Sequence, residues 1–337
     1  MLNVYFYPKI NYESTQSPNP YIFHFEKALE RHYHLVNKQY NKNGILDFFK
    51  YFFKTDVYIL NWIEDLPLYR FGKIQTLFFT VFLFFARIAG KKIVWVLHNK
   101  YSHFTQDSFW TKLMFGLLMR HSELILTHSS SGVDFVQEDY PRFVHKIKYF
   151  IHPILPAFSP IASSKKQYDL FIWGTLHPYK GVLEFLKYLK ESFKPFSLKI
   201  FICGRCFDEV YKKELMRYIP DGVEYEDKFY ELEDIRNFAQ QSKYVLFTHK
   251  PTSVLSSGAL MDAIRMGAKI IGPNFGAFRD LKSSGLVRTY DNYDDIRTIL
   301  NEDQVDQALD LSGLDQFFCE NSWEAFGDKL KLALDEH

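Results

Sequence analysis

Short runs of β-branched and aromatic residues alternate with longer amphipathic stretches along the whole of this 337-residue chain. That alternation constrains the fold more than any other feature, because a run of four to six such residues suits a strand and is too short for a helix. Strands are predicted at Asn3–Tyr7, Val57–Trp62, Lys92–Leu97, Leu124–Thr127 and Ile147–Ile151, then at Tyr168–Trp173, Leu198–Cys203, Tyr244–Thr248, Lys269–Gly272 and Leu286–Tyr290. Helical stretches separate them, so each strand is followed by a crossover and not by a hairpin. The expected architecture is α/β: two Rossmann-like parallel sheets, each covered by helices on both faces, facing a central cleft.

Between the two series lies a Pro/Ser-rich stretch (Pro153, Pro156, Ser159, Pro160, Ser163, Ser164) running into Lys165-Lys166, without hydrophobic periodicity. The predicted domains are therefore 1–155 and 165–320. Residues 321–337 form a last helix, anchored by Trp323 and Phe326 and expected to return to the first domain.

Charge follows the same division. Residues 1–160 hold 18 Lys and Arg against 12 Asp and Glu, leaving 23 against 28 for the rest of a chain whose totals are 41 and 40. A formal net charge of +1 argues against a nucleic-acid binder, which needs a strong basic field. Three cysteines cannot staple a chain of this size, so a reducing cytoplasm is expected. The start, Met1 to Tyr7, lacks the basic opening and small-residue cleavage site of a secretory signal. The most apolar stretch, Ile74–Ala89, is too short to span a bilayer and is flanked by Lys73 and Lys91-Lys92. It reads as a helix buried between strands, or as one whose Phe-rich face lies on a membrane surface.

Open parallel sheets bind ligands outside the carboxyl ends of their strands, so polar residues just after strands are the candidates. His98-Asn99 follows the strand ending at Leu97, with His103 beyond; a neutral histidine there can exchange hydrogen bonds with a hydroxyl or phosphate. No third ligand accompanies the two histidines, so no metal is expected. In Trp173-Gly174-Thr175-Leu176-His177-Pro178-Tyr179-Lys180-Gly181, Gly174 lets backbone approach a ligand and Lys180 supplies a cation for phosphate. Ser256, Ser257 and Gly258 read as a helix tip able to hold a diphosphate, and Asp262, one turn on, can accept from a ribose diol. Cys203-Gly-Arg-Cys206 has redox spacing without a redox context.

Taken in order, these segments resemble the nucleotide-sugar glycosyltransferases of the GT-B fold, more narrowly the bacterial capsule and exopolysaccharide enzymes of group 1, family 4. Gly90-Lys91-Lys92-Ile93-Val94-Trp95-Val96-Leu97-His98-Asn99…His103 is similar to their GKKIIWTVHNxxPH segment, and Phe171–Gly181 to their FGxIRPYKG loop. Ser257-Gly258-Ala259-Leu260 through Gly276 is similar to their SGALLxALxxGxPVIAPxxG, and Ser322-Trp323-Glu324 to their closing SWE. Asn19-Pro20-Tyr21 stands where such enzymes open their first helix.

The resemblance implies that the second domain holds a nucleotide-sugar donor. Gly174, Thr175, Lys180, Ser256, Ser257 and Gly258 would then lie on the diphosphate, and Asp262 on the ribose. His98 would be the catalytic residue near the transferred sugar. Asn19, Pro20, Tyr21, Asn99 and His103 would lie on the acceptor side, facing a saccharide or lipid-linked saccharide at the inner membrane surface. No metal and no cofactor are implied. Two positions depart from the pattern: Thr175 or His177 stands where relatives carry Arg, and Val254 and Asp262 occupy the places of a Glu-x7-Glu motif. A non-catalytic nucleotide-sugar or glycan binder, or an epimerase of the same fold, are the alternative readings.

Overall fold

Val57–Asn61 is buried at all five positions, the pattern of a central strand covered on both faces. In the computed structural model this strand (β3) lies inside a six-stranded parallel sheet with β1 (Asn3–Tyr7), β2 (His34–Leu35), β4 (Lys92–Leu97), β5 (Leu124–Thr127) and β6 (Ile147–Tyr149), in the order β2-β1-β3-β4-β5-β6. The second sheet comprises β7 (Tyr168–Trp173), β8 (Ile200–Cys203), β9 (Val223–Glu226), β10 (Ser242–Leu246), β11 (Ile270–Pro273) and β12 (Arg288–Tyr290), in the order β12-β11-β10-β7-β8-β9, again parallel throughout. The structure describes residues 1–10, 20–39, 44–100, 109–159, 165–191, 198–251, 255–302 and 314–336. They divide into two units: residues 1–153 with 320–337, and residues 154–319.

Each order reverses once. In the first unit the chain leaves β1 for β2 on one side and returns to β3 on the other; in the second it leaves β7 for β8 and β9 and returns to β10. The carboxyl ends of β1/β3 and β7/β10 are thus the topological switch points, where diverging crossovers leave a crevice.

The aromatic richness of the chain, 18% Phe, Trp and Tyr, fills the first unit's core. Phe48 and Phe82 lie 5.0 Å apart, and Tyr58 packs on Phe82 at 4.8 Å and on Tyr5 at 5.6 Å. Each such pair contributes about 0.5–1.5 kcal/mol beyond its area burial. The last helix, Trp323–Asp335, packs on the first, Pro20–Glu30, with the Phe25 and Phe326 rings 4.9 Å apart. Gly327 lets the two backbones approach: a Cβ there would stand 3.0 Å from the Ala28 carbonyl oxygen.

The Phe-rich segment keeps one face in the core, as the first of its two readings expects. It is a helix, Gly72–Ile88, with Thr76, Phe79, Phe82, Leu83 and Ala86 buried, and with a second apolar face exposed. No described helix is long and apolar enough to cross a membrane. The edge strands β2 and β9 were not predicted. β2 spans two residues, and Val-Glu-Tyr-Glu of β9 alternates its exposure at the sheet edge.

Candidate active site

At the switch point of the second sheet the chain builds a cradle from three strand ends. After β7, Gly174 turns with φ +98°, a region that favours glycine, and a Cβ there would stand 2.9 Å from the Lys180 Nζ. The short turn Pro178–Lys180 ends in Gly181 at φ +68°. Any larger residue would drive its Cβ to 2.1 Å from the Thr248 carbonyl oxygen, so Gly181 is what lets this turn lie against the end of β10. The Thr248 hydroxyl donates to the Lys180 carbonyl at 2.6 Å, and the Lys250 amide donates to the Tyr179 carbonyl at 2.9 Å. Lys180 is thereby fixed at its backbone on both sides.

Its charge is not matched. No carboxylate among the described residues pairs with Lys180, and burial alone pulls its pKa down to about 8. Next to it, His249 is held neutral: burial foremost, then the Lys180 charge, pull its pKa to about 3. The His249 Nδ1 is buried without a hydrogen-bond partner, and so is the Ser256 hydroxyl. Ser257 takes the N-cap position of the helix Gly258–Arg265 in extended conformation, with no side-chain cap bond; the Leu260 amide donates to the Ser257 carbonyl at 3.1 Å, and the Gly258 and Ala259 amides keep their donors. Leu255 is tied to the turn after β11 by the Ala277 amide, 2.9 Å from its carbonyl, and Phe278 of that turn lies 5.7 Å from the His249 ring. A part-buried cation, unspent donors and a helix tip past the carboxyl ends of one sheet are the equipment of an anion site.

Asp262, one turn into that helix, accepts from Arg265 at 3.3 Å. Burial nonetheless raises its pKa, with Arg265 opposing. Arg265 is itself anchored, donating to the Pro156 carbonyl at 3.1 Å and lying 4.3 Å from the Phe158 ring centre. Thr175 is part-buried after β7, and His177 stacks on Tyr179 at 5.6 Å. Cys203 and Cys206 are both buried as free thiols, with burial pushing the Cys203 thiol up to about 12, which leaves it inert at neutral pH.

The first unit carries a different constellation at its own switch point. His98 stacks on Trp62 at 4.1 Å and 15°, and Trp62 follows β3 in left-handed backbone, φ 51°. Asn61, buried at the end of β3, donates through Nδ2 to the Tyr7 carbonyl at 2.9 Å. Its Oδ1 therefore accepts from the His98 Nε2–H at 3.0 Å. Burial, then the neighbouring His128 and His152, lower the His98 pKa well below the ordinary range. The ring is neutral at pH 7, and with its proton committed at Nε2 it presents Nδ1 as an acceptor.

Tyr21 closes the group. The His128 Nδ1 lies 3.0 Å from the Phe150 carbonyl, which can only accept, so Nδ1 bears the proton. The Tyr21 hydroxyl then donates to Nε2 at 2.8 Å. His152 stands 5.2 Å from His128 and 5.3 Å from Tyr21 between ring centres. Burial holds the pKa of His128 at about 3 and that of His152 at about 4.

The predicted site residues thus fall into two groups. Gly174 and Lys180 lie against one another, and Ser256, Ser257 and Gly258 join them through Leu255, Phe278 and His249. His98 and Tyr21 meet at 5.1 Å in the first unit, with Asn99 buried beside His98 and Pro20 exposed before Tyr21. Asn19, His103 and Val254 lie outside the described residues. His128, His152 and His249 were missed. His128 and His249 follow β5 and β10 directly or nearly so, and the strand-end rule that selects His98 selects them equally.

Solved structures share this fold. Anabaena Alr3699/HepE in complex with UDP and glucose superposes with a TM-score of 0.67 at 15% identity, covering 100% of both chains. The lipopolysaccharide outer core galactosyltransferase WaaB in its apo form gives 0.64 at 12% identity over 99% of both chains. AviGT4, a glycosyltransferase involved in avilamycin A biosynthesis, gives 0.59 at 12% identity, covering 99% of this chain and 97% of its own. No family model and no curated relative matches the sequence. The chain has the two-sheet GT-B fold of these glycosyltransferases.

Proposed function

We propose that the chain is a glycosyltransferase that takes its sugar from a nucleoside-diphosphate sugar and delivers it to a saccharide acceptor carried on lipid. The observation that carries the reading is Lys180: a part-buried ammonium without a counter-ion among the described residues, set at a switch point and linked through His249, Phe278 and Leu255 to the helix that Gly258 opens. A diphosphate is the ligand that satisfies it. HepE, with the same fold, was crystallised with UDP and with UDP-glucose.

In the transfer, the bond between the sugar's anomeric carbon and the diphosphate oxygen breaks, and one to an acceptor hydroxyl oxygen forms as that hydroxyl passes its proton to the departing diphosphate oxygen. Negative charge grows on the departing diphosphate. Lys180, the amides opening Gly258–Arg265 and the Ser256 hydroxyl meet that charge where it develops, which is how fixed donors lower a barrier. Asp262 takes the ribose. In this reading His98, neutral and locked by Asn61, offers Nδ1 to a sugar hydroxyl, and Pro20, Tyr21 and Asn99 belong to the acceptor side. The ordered motifs shared with capsule and exopolysaccharide enzymes support a role in polysaccharide assembly at the inner face of the plasma membrane.

The test is release of nucleoside diphosphate from UDP-, GDP- and CDP-sugars in the presence of a lipid-linked saccharide extract. Turnover with one donor, abolished by His98→Ala while UDP binding persists, is the expected result. Tight donor binding with no transfer to any acceptor would make the chain a nucleotide-sugar binder instead.

A further inference from the structure

The helix Gly72–Ile88 has two apolar faces, and only one belongs to the core. Ile74, Leu77, Phe78, Val81, Phe85 and Ile88 repeat at helical spacing on the other and are between 47% and 68% exposed. A contiguous exposed stripe of this kind marks a docking surface. The turn Phe52–Lys54 flanks the same helix: Phe52 packs on the buried Phe82 at 6.2 Å with the Lys91 ammonium 5.7 Å from its ring centre, and the adjoining Phe53 is 92% exposed.

Charge identifies the occupant. From Leu66 to Gln106 the sequence contains no Asp or Glu, while Arg70, Lys73, Arg87, Lys91 and Lys92 bracket the stripe. Arg70, Lys73 and Arg87 are exposed at its two ends. A second copy of the chain fits poorly. A twofold pairing of antiparallel stripes sets Lys73 of one copy near Arg87 of the other, with no acid in the segment to offset the repulsion. An anionic lipid surface answers both features, taking the aromatic stripe into its acyl boundary and the flanking cations onto its phosphates.

We infer that Gly72–Ile88, with the Phe52–Lys54 turn, is the surface by which this protein lies on an anionic lipid bilayer, the helix in the membrane plane. The inference deepens the proposed use of a lipid-linked acceptor and rests on that reading only for its purpose, since the binding is measured without turnover.

The test is flotation of the full chain with vesicles of phosphatidylglycerol and phosphatidylethanolamine, against vesicles of phosphatidylcholine alone. The wild type is expected to float with the anionic vesicles and to release as salt rises. Phe78→Glu with Phe85→Glu should lower the partition coefficient about a hundredfold, because two half-exposed rings lose their membrane burial. Both positions face solvent, so the unfolding temperature and the UDP-induced thermal shift should stay at wild-type values, which separates this result from any failure of the diphosphate site. Lys73→Glu with Arg87→Glu should abolish the preference for anionic over neutral vesicles. A wild type that stays free of all vesicles, or a double Phe variant that floats as the wild type does, overturns the inference. So does a dimer in light scattering that the Phe variant dissolves without any vesicle binding, which would assign the face to a second copy.

Discussion

Replacing Lys180 by methionine should make the protein more stable and less able to bind. Burial lowers the Lys180 pKa from 10.5 to about 8. A tenfold loss of proton affinity corresponds to about 1.4 kcal/mol, so keeping this ammonium charged costs the fold roughly 3 kcal/mol at pH 7. Methionine keeps the stem and removes the charge, as when buried ions give way to apolar residues of similar volume. The expected gain is about 2–3 kcal/mol, a rise of roughly 4–12 °C for a unit of this size. The sign with pH is fixed. The folded pKa lies below the unfolded one, so the unfolded chain binds more protons between the two values, and wild-type stability rises with pH from about 8 to 10.5. The gap between Lys180→Met and wild type should therefore be full below pH 8 and close by pH 10.5. UDP at a hundred times its Kd should stabilise the wild type by about 2.7 kcal/mol, and the variant should lose most of that stabilisation. Thermal unfolding of both proteins with and without UDP, at pH 7 and pH 10, measures all four quantities. A variant that is less stable than wild type at pH 7 and keeps its response to UDP would refute the reasoning.

The two glycines of the cradle should separate. Gly174→Ala must hold φ +98° and presses only on the far end of the Lys180 side chain, so it should cost about 1–2 kcal/mol and weaken UDP binding, whereas Gly181→Ala, at φ +68°, also meets backbone at Thr248 and should cost more, upwards of about 3 kcal/mol in urea unfolding. In the first unit the folded state resists protonation at His128 and His152, while the unfolded chain takes up protons below about pH 6.5. Stability should accordingly fall between pH 6.5 and 4. Tyr21→Phe, which strips the donor from His128, should cost a further 1–3 kcal/mol, as an order of magnitude about that of any buried acceptor left unpaired; a urea midpoint flat from pH 7 to 5 would count against the neutral histidine group. Asn61→Leu frees the His98 Nε2–H and the Tyr7 carbonyl. Nitrogen NMR should show His98 moving from a pure Nε2–H tautomer to a mixture, with UDP binding unchanged.

Strand positions were legible because a parallel strand buried on both faces is a continuous apolar run, as in Tyr58-Ile59-Leu60 and Ile93-Val94-Trp95-Val96-Leu97. The edges were not, since β9 carries Glu224 and Glu226 on its exposed side and looks like a loop. In the candidate site, glycines and Lys180 stand out in the sequence because a turn and a cation have few other uses after a strand. That Lys180 lacks a counter-ion among the described residues, and that His249 is buried against it, depend on contacts between residues far apart in the chain. Asn61 is similar: its role comes from bridging Tyr7 and His98 across three strands. The sequence left the second face of Gly72–Ile88 open, because a helix that is apolar nearly all round reads equally as core or as a surface that meets lipid.

The most direct test of the account is a crystal structure of the chain soaked with UDP. The diphosphate should sit at the carboxyl ends of β7 and β10, its oxygens within hydrogen-bond reach of the Lys180 Nζ and of the amides that open the helix Gly258–Arg265. Density for UDP at any other place, or none at millimolar nucleotide with that cradle open to solvent, would contradict the central claim.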